Sequence, residues 1–334
     1  MKVNSMLREV RTEDAIGMIL SHDLTQIIPG EFKGRLFKKG HVIRQEDIPA
    51  LLSIGKEHIY VMDLQDGYIH EDEAAERMAH AIAGDRVKLT QPHEGKVMLK
   101  STIHGLAKIN KRFVDEANSL EHIVISTIKT NSVVKQDQSL IGTRVIPLLI
   151  EEAQVAKVEH IARRYAELGE DLVTVKPFLP LRVGLITTGS EVFKGRITDK
   201  FGPIVKAKVV DLGSEVVEQI VTDDDSDQII GAIRHYETLG VDLILVTGGM
   251  SVDPDDRTPG AIRKSGARIV SYGTPMLPGS MLMIGYLGQI PIMGLPGCVM
   301  HDAYTSFDVF LPRICAGEEI VRRDVVELGY GGLM

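Results

Sequence analysis

A short apolar run followed by two glycines constrains the fold of this chain more than any other feature. Residues 243–246 read Leu-Ile-Leu-Val, which is typical of a strand buried on both faces in a parallel sheet covered by helices. Gly248 and Gly249 follow and remove side chains where a ligand can approach the backbone. Because open α/β sheets bind ligands beyond the carboxyl ends of their strands, this loop is a candidate ligand site.

Strand and helix patterns alternate through the second half of the chain. Strands are predicted at 181–188, 215–221, 269–272, 281–286 and 290–293, in addition to the run described above. Helices are predicted at 204–212, after Asp225, after Thr258 and, as a long closing helix, over 298–315. This alternation predicts an α/β fold, a three-layer sandwich with a mostly parallel sheet.

The first half of the chain is less regular and predicts smaller β-rich α+β regions. Helices are expected at 48–54, 71–83 and 151–168, each followed by a glycine, with extended segments at 58–62, 96–99, 122–130 and 143–150. We therefore predict a small N-terminal strand-containing domain over 1–65 and a mixed α/β domain over 66–178. The regular α/β domain then spans 179–320, and a C-terminal tail spans 321–334.

Composition excludes several classes of function. A net charge of −8 in 334 residues argues against a broad nucleic-acid surface. No uncharged apolar run approaches the roughly 18 residues that a membrane span needs, and no apolar signal core follows the first residues. The two cysteines form no spaced framework for disulfides or zinc, which favours a cytoplasmic setting.

The chemistry is expected in four loops of the α/β domain, at 187–191, 248–256, 278–280 and 294–297. Their glycines and hydroxyl side chains can hold phosphate oxygens without a formal positive charge. The acids Asp253, Asp255 and Asp256 either hold a hard cation beside phosphate or cap the helix that follows. Asp223 either has a functional role or belongs to an acidic cluster at the start of a helix.

Other familiar sites are missing from the sequence. It contains neither a Walker-type Gly-Lys-Ser/Thr motif nor a Gly-x-Gly-x-x-Gly fingerprint, and its histidines lack metal-ligand spacing. Cys298, at the predicted start of the closing helix, is either a thiol activated there or a small residue that packs. Cys315 lies on the apolar face of that helix and is predicted to be core.

Taken together, the loops resemble the molybdopterin-binding domain of the molybdenum-cofactor biosynthesis family. Thr188-Gly189-Ser190-Glu191, the Gly-Gly loop with Asp256, Pro278-Gly279 and the segment 294–297 occur in the family's order over residues 181–315. The likeness is nearest to the molybdopterin molybdotransferase branch. It implies a three-layer α/β sandwich that forms homodimers or trimers and binds a pterin carrying a dithiolene and a phosphate.

The resemblance also implies roles for particular residues. Glu191, Asp223 and Asp256 are assigned the acidic, catalytic positions, and Asp255 with Asp256 would hold Mg²⁺. The pterin or phosphate pocket would be lined by Thr188, Gly189, Ser190, Gly248, Gly249, Ser251, Pro278, Gly279, Ser280, Pro296 and Gly297.

The chain departs from the family pattern at three of these loops. Ser190 stands where the family usually has aspartate, and Leu277 and Ser280 stand where it has lysines. Cys298-Val299 replaces an Asn-Pro pair. Each missing cation removes charge-assisted contacts of roughly 1.5–3 kcal/mol to an anion, so binding of a pterin is favoured over turnover.

Three functions follow from the resemblance. The first is Mg²⁺-assisted insertion of molybdate into adenylylated molybdopterin, as in a molybdotransferase. The second is an adenylyltransferase of the same fold, which would consume ATP with molybdopterin alone. The third is a non-catalytic carrier or sensor that holds the finished cofactor for a molybdoenzyme or another protein of cofactor biosynthesis.

Overall fold

The computed structural model describes residues 7–28, 32–62, 66–251 and 257–334. The chain divides into two compact units, Met1–Ile103 with Ala107–Val175 and His104–Leu106 with Lys176–Met334. No helix within the described ranges is long and apolar enough to cross a membrane. The three acids Asp253, Asp255 and Asp256 lie outside the described residues, so their roles stay predictions.

The first unit begins with four short strands and one helix. They are β1 (Leu7–Arg11), β2 (Leu24–Ile28), β3 (Phe32–Phe37), α1 (Ile48–Ser53) and β4 (His58–Met62). β1 pairs antiparallel with β4, and β2 pairs antiparallel with β3. Leu20, Ile43 and Leu51 are almost completely buried in the small core of this region. α1 and β4 lie where the sequence predicts them.

The following region is β-rich and contains three helices. Its elements are β5 (Tyr68–His70), α2 (Glu71–Ile82), β6 (Val87–Leu89), β7 (Lys96–Ser101), β8 (Gly105–Ile109), α3 (Lys111–Asn118), β9 (Ile123–Thr127), β10 (Ser132–Val134), β11 (Ser139–Val145), β12 (Leu149–Glu151), α4 (Glu152–Glu167) and β13 (Val173–Pro177). Four strands form an antiparallel sheet in the order β6-β7-β11-β9, and α2 packs against it.

The sequence predicts half of these twelve elements, namely α2, β7, β9, β11, β12 and α4. The extended segment predicted over 143–150 is two strands, β11 and β12, with the chain bending at Pro147, as a proline there requires. The helix α3 is absent from the prediction because only Phe113 and Ala117 are buried on it, which leaves almost no apolar pattern to read.

His70 makes the first unit sensitive to acid. Burial, aided by the nearby Lys39 charge, lowers the pKa of His70 to about 4 from its usual 6.5. The ring bonds the carbonyl oxygen of Ser21 at 2.6 Å through Nε2, and its Nδ1 lies 3.1 Å from the Asp72 N–H. A neutral imidazole satisfies both contacts, because Nε2–H donates and Nδ1 accepts.

We expect the free energy of unfolding of this unit to fall as pH decreases from 6.5 towards 4. Because the folded pKa lies below the unfolded one, the unfolded state binds more protons in that window, so stability rises with pH across it. Urea unfolding at a series of pH values checks this. His70→Gln should flatten the pH dependence, whereas the same change at the exposed His58 should not. An equal slope in wild type and His70→Gln would contradict the expectation.

The second unit contains a six-stranded sheet and six α-helices within the described residues. Its elements are β14 (Arg182–Thr188), α5 (Ser190–Phe193), α6 (Phe201–Asp211), β15 (Glu215–Thr222), α7 (Ser226–Leu239), β16 (Leu243–Thr247), α8 (Thr258–Lys264), β17 (Arg268–Tyr272), β18 (Met283–Leu287), β19 (Ile290–Leu295), α9 (Ser306–Cys315) and α10 (Arg322–Glu327). The strand order is β15-β14-β16-β19-β18-β17. The first four strands are parallel, and the last two join antiparallel.

Helices cover both faces of this sheet, which confirms the predicted three-layer sandwich. Leu243 and Leu245 face a core that includes residues of α6 and α9, and Ile244 and Val246 face a second core with α7 and α8. All four side chains are completely buried, as the unbroken apolar run predicts.

The predicted closing helix over 298–315 is wrong in its first half. Residues Gly297–Met300 form a 3-10 turn, and α9 starts only at Ser306. Thr305 and Asp308 explain the late start, since the Asp308 carboxylate accepts from the Thr305 N–H at 2.8 Å in a capping box. Cys298 therefore does not begin a long helix, whereas Cys315 is completely buried in the core, as predicted.

Candidate functional site

The described parts of the four predicted loops lie at one edge of the six-stranded sheet. β14, β16 and β19 are parallel, so the loops that follow them leave the sheet on the same side. β18 runs the opposite way, and its first residue, Met283, pairs with Gly294 near the end of β19. The loop at 278–280, just before β18, therefore lies at that edge too. A fifth loop, after β15, joins them because β15 is parallel to β14.

The Gly248-Gly249 turn packs closely against two threonines. Both glycines have positive φ, +88° and +55°. A Cβ atom on Gly248 would lie 2.3 Å from the carbonyl oxygen of Thr188 and 2.7 Å from its hydroxyl. The Thr258 hydroxyl donates to the carbonyl oxygen of Gly248 at 2.8 Å. Glycine is therefore needed here for backbone conformation and for close approach to β14.

Two aspartates after β15 hold the loop after β14. The Ser190 hydroxyl donates to Asp223 Oδ1 at 2.6 Å, and the Ser190 N–H donates to Asp224 Oδ2 at 2.8 Å. The Ser190 hydroxyl, the Asp224 N–H and the Lys194 ammonium keep the pKa of Asp223 below its usual range. A carboxylate at position 190 could not donate the hydroxyl's bonds to Asp223 and Asp224, which gives Ser190 a structural reason to differ from the family's aspartate.

Glu191 is the acid at this edge that is most available to a ligand. Its side chain is exposed and has no hydrogen-bond or ion-pair partner in the described part of the chain. Gly189, before it, has a φ of +145°, where the chain turns out of β14. Asp223 differs, because Lys194 Nζ lies 3.3 Å from its second carboxylate oxygen. The structure thus leaves Glu191 free and uses Asp223 to hold a loop.

The loop at 278–280 is attached to the start of α9. Gly279 is buried with a φ of +116°, and its carbonyl oxygen accepts bonds from the hydroxyls of Ser306 at 2.6 Å and Thr274 at 2.9 Å. A Cβ atom on Gly279 would lie 2.3 Å from Ser306 Oγ. Pro278 follows a cis peptide bond and, like Ser280, is half-buried.

The remaining predicted residues lie at the same edge with looser surroundings. Pro296 is buried, and Gly297 is exposed at the start of the 3-10 turn. Burial raises the pKa of the neighbouring Cys298 thiol, and the Asp302 carboxylate raises it further, so the thiol stays protonated at neutral pH. Ser251 is exposed.

The described residues do not fit a magnesium site. No group of three or more His, Cys, Asp or Glu side chains within the described ranges is arranged to hold a metal ion. Asp223 and Asp224 are engaged with Ser190 and Lys194, and the two predicted ligands Asp255 and Asp256 lie outside the described residues. None of the described residues is therefore assigned to a cation, and a magnesium site would depend on Asp255 and Asp256.

Sequence reasoning missed three residues of this edge. Thr258 ties the Gly-Gly turn, and the Tyr272 hydroxyl donates to the carbonyl oxygen of Met250 at 2.9 Å. Thr222 Oγ1, at the end of β15, is the buried side-chain oxygen with no hydrogen-bond partner in the described part of the structure. A hydroxyl at the end of a strand is the sequence feature that could have identified Thr222, because Thr188 shares it.

Comparison with known proteins connects this edge to a ligand class. A family model described as a probable molybdopterin binding domain matches residues 184–316, and a model described as a domain of unknown function matches residues 9–63. A CinA-like protein of Mycobacterium sp. strain JLS is 34% identical over 83 residues, which are 25% of this chain and 20% of that protein. The match thus spans about a fifth of the length of that curated relative.

Solved structures of molybdopterin biosynthesis proteins are also similar. The biosynthesis enzyme MoaB of Thermus thermophilus is 24% identical and has a TM-score of 0.34, with 41% of this chain and 98% of that chain covered. A MoeA protein of Pyrococcus horikosii is 14% identical with a TM-score of 0.34, over 93% of this chain and 75% of that chain. Residues 184–316, which carry the loop-bearing sheet edge, are thus similar to the family of probable molybdopterin binding domains.

Proposed function

We propose that the second unit binds molybdopterin at the loop-bearing edge of its six-stranded sheet. The observation that carries the proposal is the meeting of all four predicted loops, with a fifth after β15, at that one edge. Three of these loops contain a glycine with positive φ, which lets a ligand lie against backbone. The domain's family match adds the chemical class of that ligand.

The available polar groups suit the phosphate end of a pterin. The hydroxyls of Ser251 and Ser280 have no hydrogen-bond partner in the described part of the chain and are free to donate to phosphate oxygens. The buried, unpartnered hydroxyl of Thr222 offers a third donor at the same edge. Glu191, also free, suits the hydrogen-bond donors of a pterin ring, because a carboxylate only accepts.

The reaction we propose is insertion of molybdate into adenylylated molybdopterin. In it, Glu191 and Asp256 would contact the ligand, and Asp223 would position the Ser190 loop. Mg²⁺ would be held by Asp255 and Asp256 and would supply Lewis-acid activation of the phosphoanhydride. The proposal includes action as a homodimer or trimer in the cytoplasm, with a protein of cofactor biosynthesis or a molybdoenzyme as partner.

A second candidate is a carrier that holds the finished cofactor without turnover. It is favoured by Leu277 and Ser280, which give the 278–280 loop no cation, and by Lys194, which is already paired with Asp223. Fewer free cations weaken stabilisation of negative charge that develops during transfer.

Co-purification tests the binding proposal. The full chain, produced in a host that makes molybdopterin, should retain a pterin that fluoresces after release and oxidation and has the mass of a pterin phosphate. Protein without pterin, prepared with or without Mg²⁺ and molybdate, would overturn both candidates. Conversion of adenylylated molybdopterin to a molybdenum-loaded product would then separate transferase from carrier.

A further inference from the structure

A cleft of about 480 Å³ lies beside the 278–280 loop and was not predicted from the sequence. It is formed by the end of β17, the loop after it and the helix α10, in the segment expected to be a tail. Its lining residues are Tyr272, Gly273, Thr274, Pro275, Ser280, Arg322, Val325 and Val326. Its volume lies within the range of about 300–1,000 Å³ that is typical of small-molecule sites.

The cleft is positively charged. Arg322, on α10, is its one ionised lining residue, and no carboxylate lines it among the described residues. The nearest acids on α10 are occupied, since Asp324 pairs with Arg313 at 2.8 Å and Glu327 pairs with Arg323 at 2.7 Å. Arg322 itself donates to the Ser271 hydroxyl and forms no ion pair with a described residue. Its remaining N–H groups are free for a ligand.

Hydroxyl groups complete a polar wall around this guanidinium. Ser280 lines the cleft with a hydroxyl that has no hydrogen-bond partner among the described residues. A second arginine, Arg263, stacks over the ring of Tyr272 at 5.3 Å and adds positive potential nearby. The Arg322 guanidinium and the Ser280 hydroxyl are donors of the kind that bind a tetrahedral oxyanion.

The cleft lies at the same sheet edge as the proposed pterin site. Tyr272 forms part of its wall, and its hydroxyl donates to the carbonyl oxygen of Met250 in the loop after β16. Tyr272 also pairs with Met283, which places the end of β17 at the loop-bearing edge. An anion in the cleft would therefore lie beside a pterin bound at that edge.

We infer that this cleft is an oxyanion subsite in which Arg322 provides the cation that the 278–280 loop lacks. The ligand group is a tetrahedral oxyanion, either the phosphate of the bound pterin or a free oxyanion such as molybdate. The inference deepens the proposed function and rests on it for its biological meaning, although binding of an oxyanion can be measured separately.

Titration calorimetry with the full chain tests the subsite, with inorganic phosphate and molybdate as separate probes. Arg322→Gln keeps a donor to Ser271 but removes the charge, and we expect it to raise the Kd for the bound oxyanion by about tenfold or more. Arg323→Gln, on the same helix but outside the cleft, is the matched control and should bind as wild type does. Ser280→Ala should weaken binding by a smaller factor without changing the thermal unfolding of the protein.

The outcomes separate this inference from the proposed function. Wild type that binds neither probe, or Arg322→Gln that binds as tightly as wild type while remaining folded by circular dichroism, overturns the subsite. If the protein retains pterin in either of these cases, the proposed function still stands. Oxyanion bound by a protein that retains no pterin supports the subsite and overturns the function. A preference for molybdate over phosphate identifies a free substrate, and the reverse identifies the pterin phosphate.

Discussion

Gly248→Ala should abolish retention of pterin and lower the free energy of unfolding of the second unit by about 2–4 kcal/mol. Two effects contribute to this loss of stability. An alanine at a φ of +88° adopts a backbone conformation that L-residues rarely accept, and its Cβ would lie 2.3 Å from the carbonyl oxygen of Thr188. Because Thr188 ends β14, relief of that overlap displaces the loop edge where the ligand is proposed to bind.

Gly240→Ala is the matched control for this experiment. Gly240 ends α7 with a φ of +68°, but a Cβ atom there meets nothing within 4 Å. We expect a loss of only about 1 kcal/mol and unchanged retention of pterin. Urea unfolding and pterin fluorescence of the purified variants provide the two readouts. Equal losses of stability in Gly248→Ala and Gly240→Ala would show that the contact with Thr188 does not contribute. Full retention of pterin by Gly248→Ala would show that the ligand binds elsewhere than at this edge.

Arg313→Met should lower the free energy of unfolding of the second unit by about 3–5 kcal/mol, because it removes a nearly buried guanidinium from its two carboxylate partners. Arg313 is 9% exposed, and its guanidinium contacts Glu318 and Asp324, each at 2.8 Å. Methionine retains the apolar stem and removes only the charge. Since Asp324 belongs to α10, the same change should loosen the helix that carries Arg322 and weaken oxyanion binding.

Urea unfolding and amide hydrogen exchange of α10 measure these two effects. Arg323→Met is the control, because Arg323 and its partner Glu327 are 86% and 60% exposed in their side chains. Such an exposed pair contributes little to stability, because water and salt screen it. If Arg313→Met were no more destabilising than Arg323→Met, the buried ion pairs would not be what holds α10 in place.

Local patterns sufficed to predict the sheet and its loops. The run at 243–246 is apolar at every position because its alternate side chains enter two different cores. These four residues therefore suffice to predict burial on both faces of the strand. Parallel strands then place their following loops at one edge, which predicts the meeting of the 187–191 and 248–256 loops without further information. The prediction of the closing helix failed because it started at Cys298 and passed over the Thr305–Asp308 capping box, where α9 begins.

Contacts between distant segments could not be predicted in this way. Ser190 lies just after β14, and Asp223 lies just after β15. Nothing in either local sequence shows that the Ser190 hydroxyl meets the Asp223 carboxylate. Arg322 belongs to a six-residue helix in a segment predicted to be a tail. Its relation to Ser280 depends on the packing of α10, which Arg313 fixes from another helix.

The hydrogen bonds from Thr258 to Gly248 and Gly249 affect how freely the length of the segment between them can vary. The Thr258 N–H donates to the carbonyl oxygen of Gly249 at 3.2 Å, and its hydroxyl donates to that of Gly248, so the two ends of the intervening segment are joined to each other. Doubling the length of a loop with joined ends costs only about 0.6 kcal/mol in closure entropy. Beyond the buried Met250, changes of length between these anchors therefore cost the fold little closure entropy, and ligand preference can change there without disturbing the sheet.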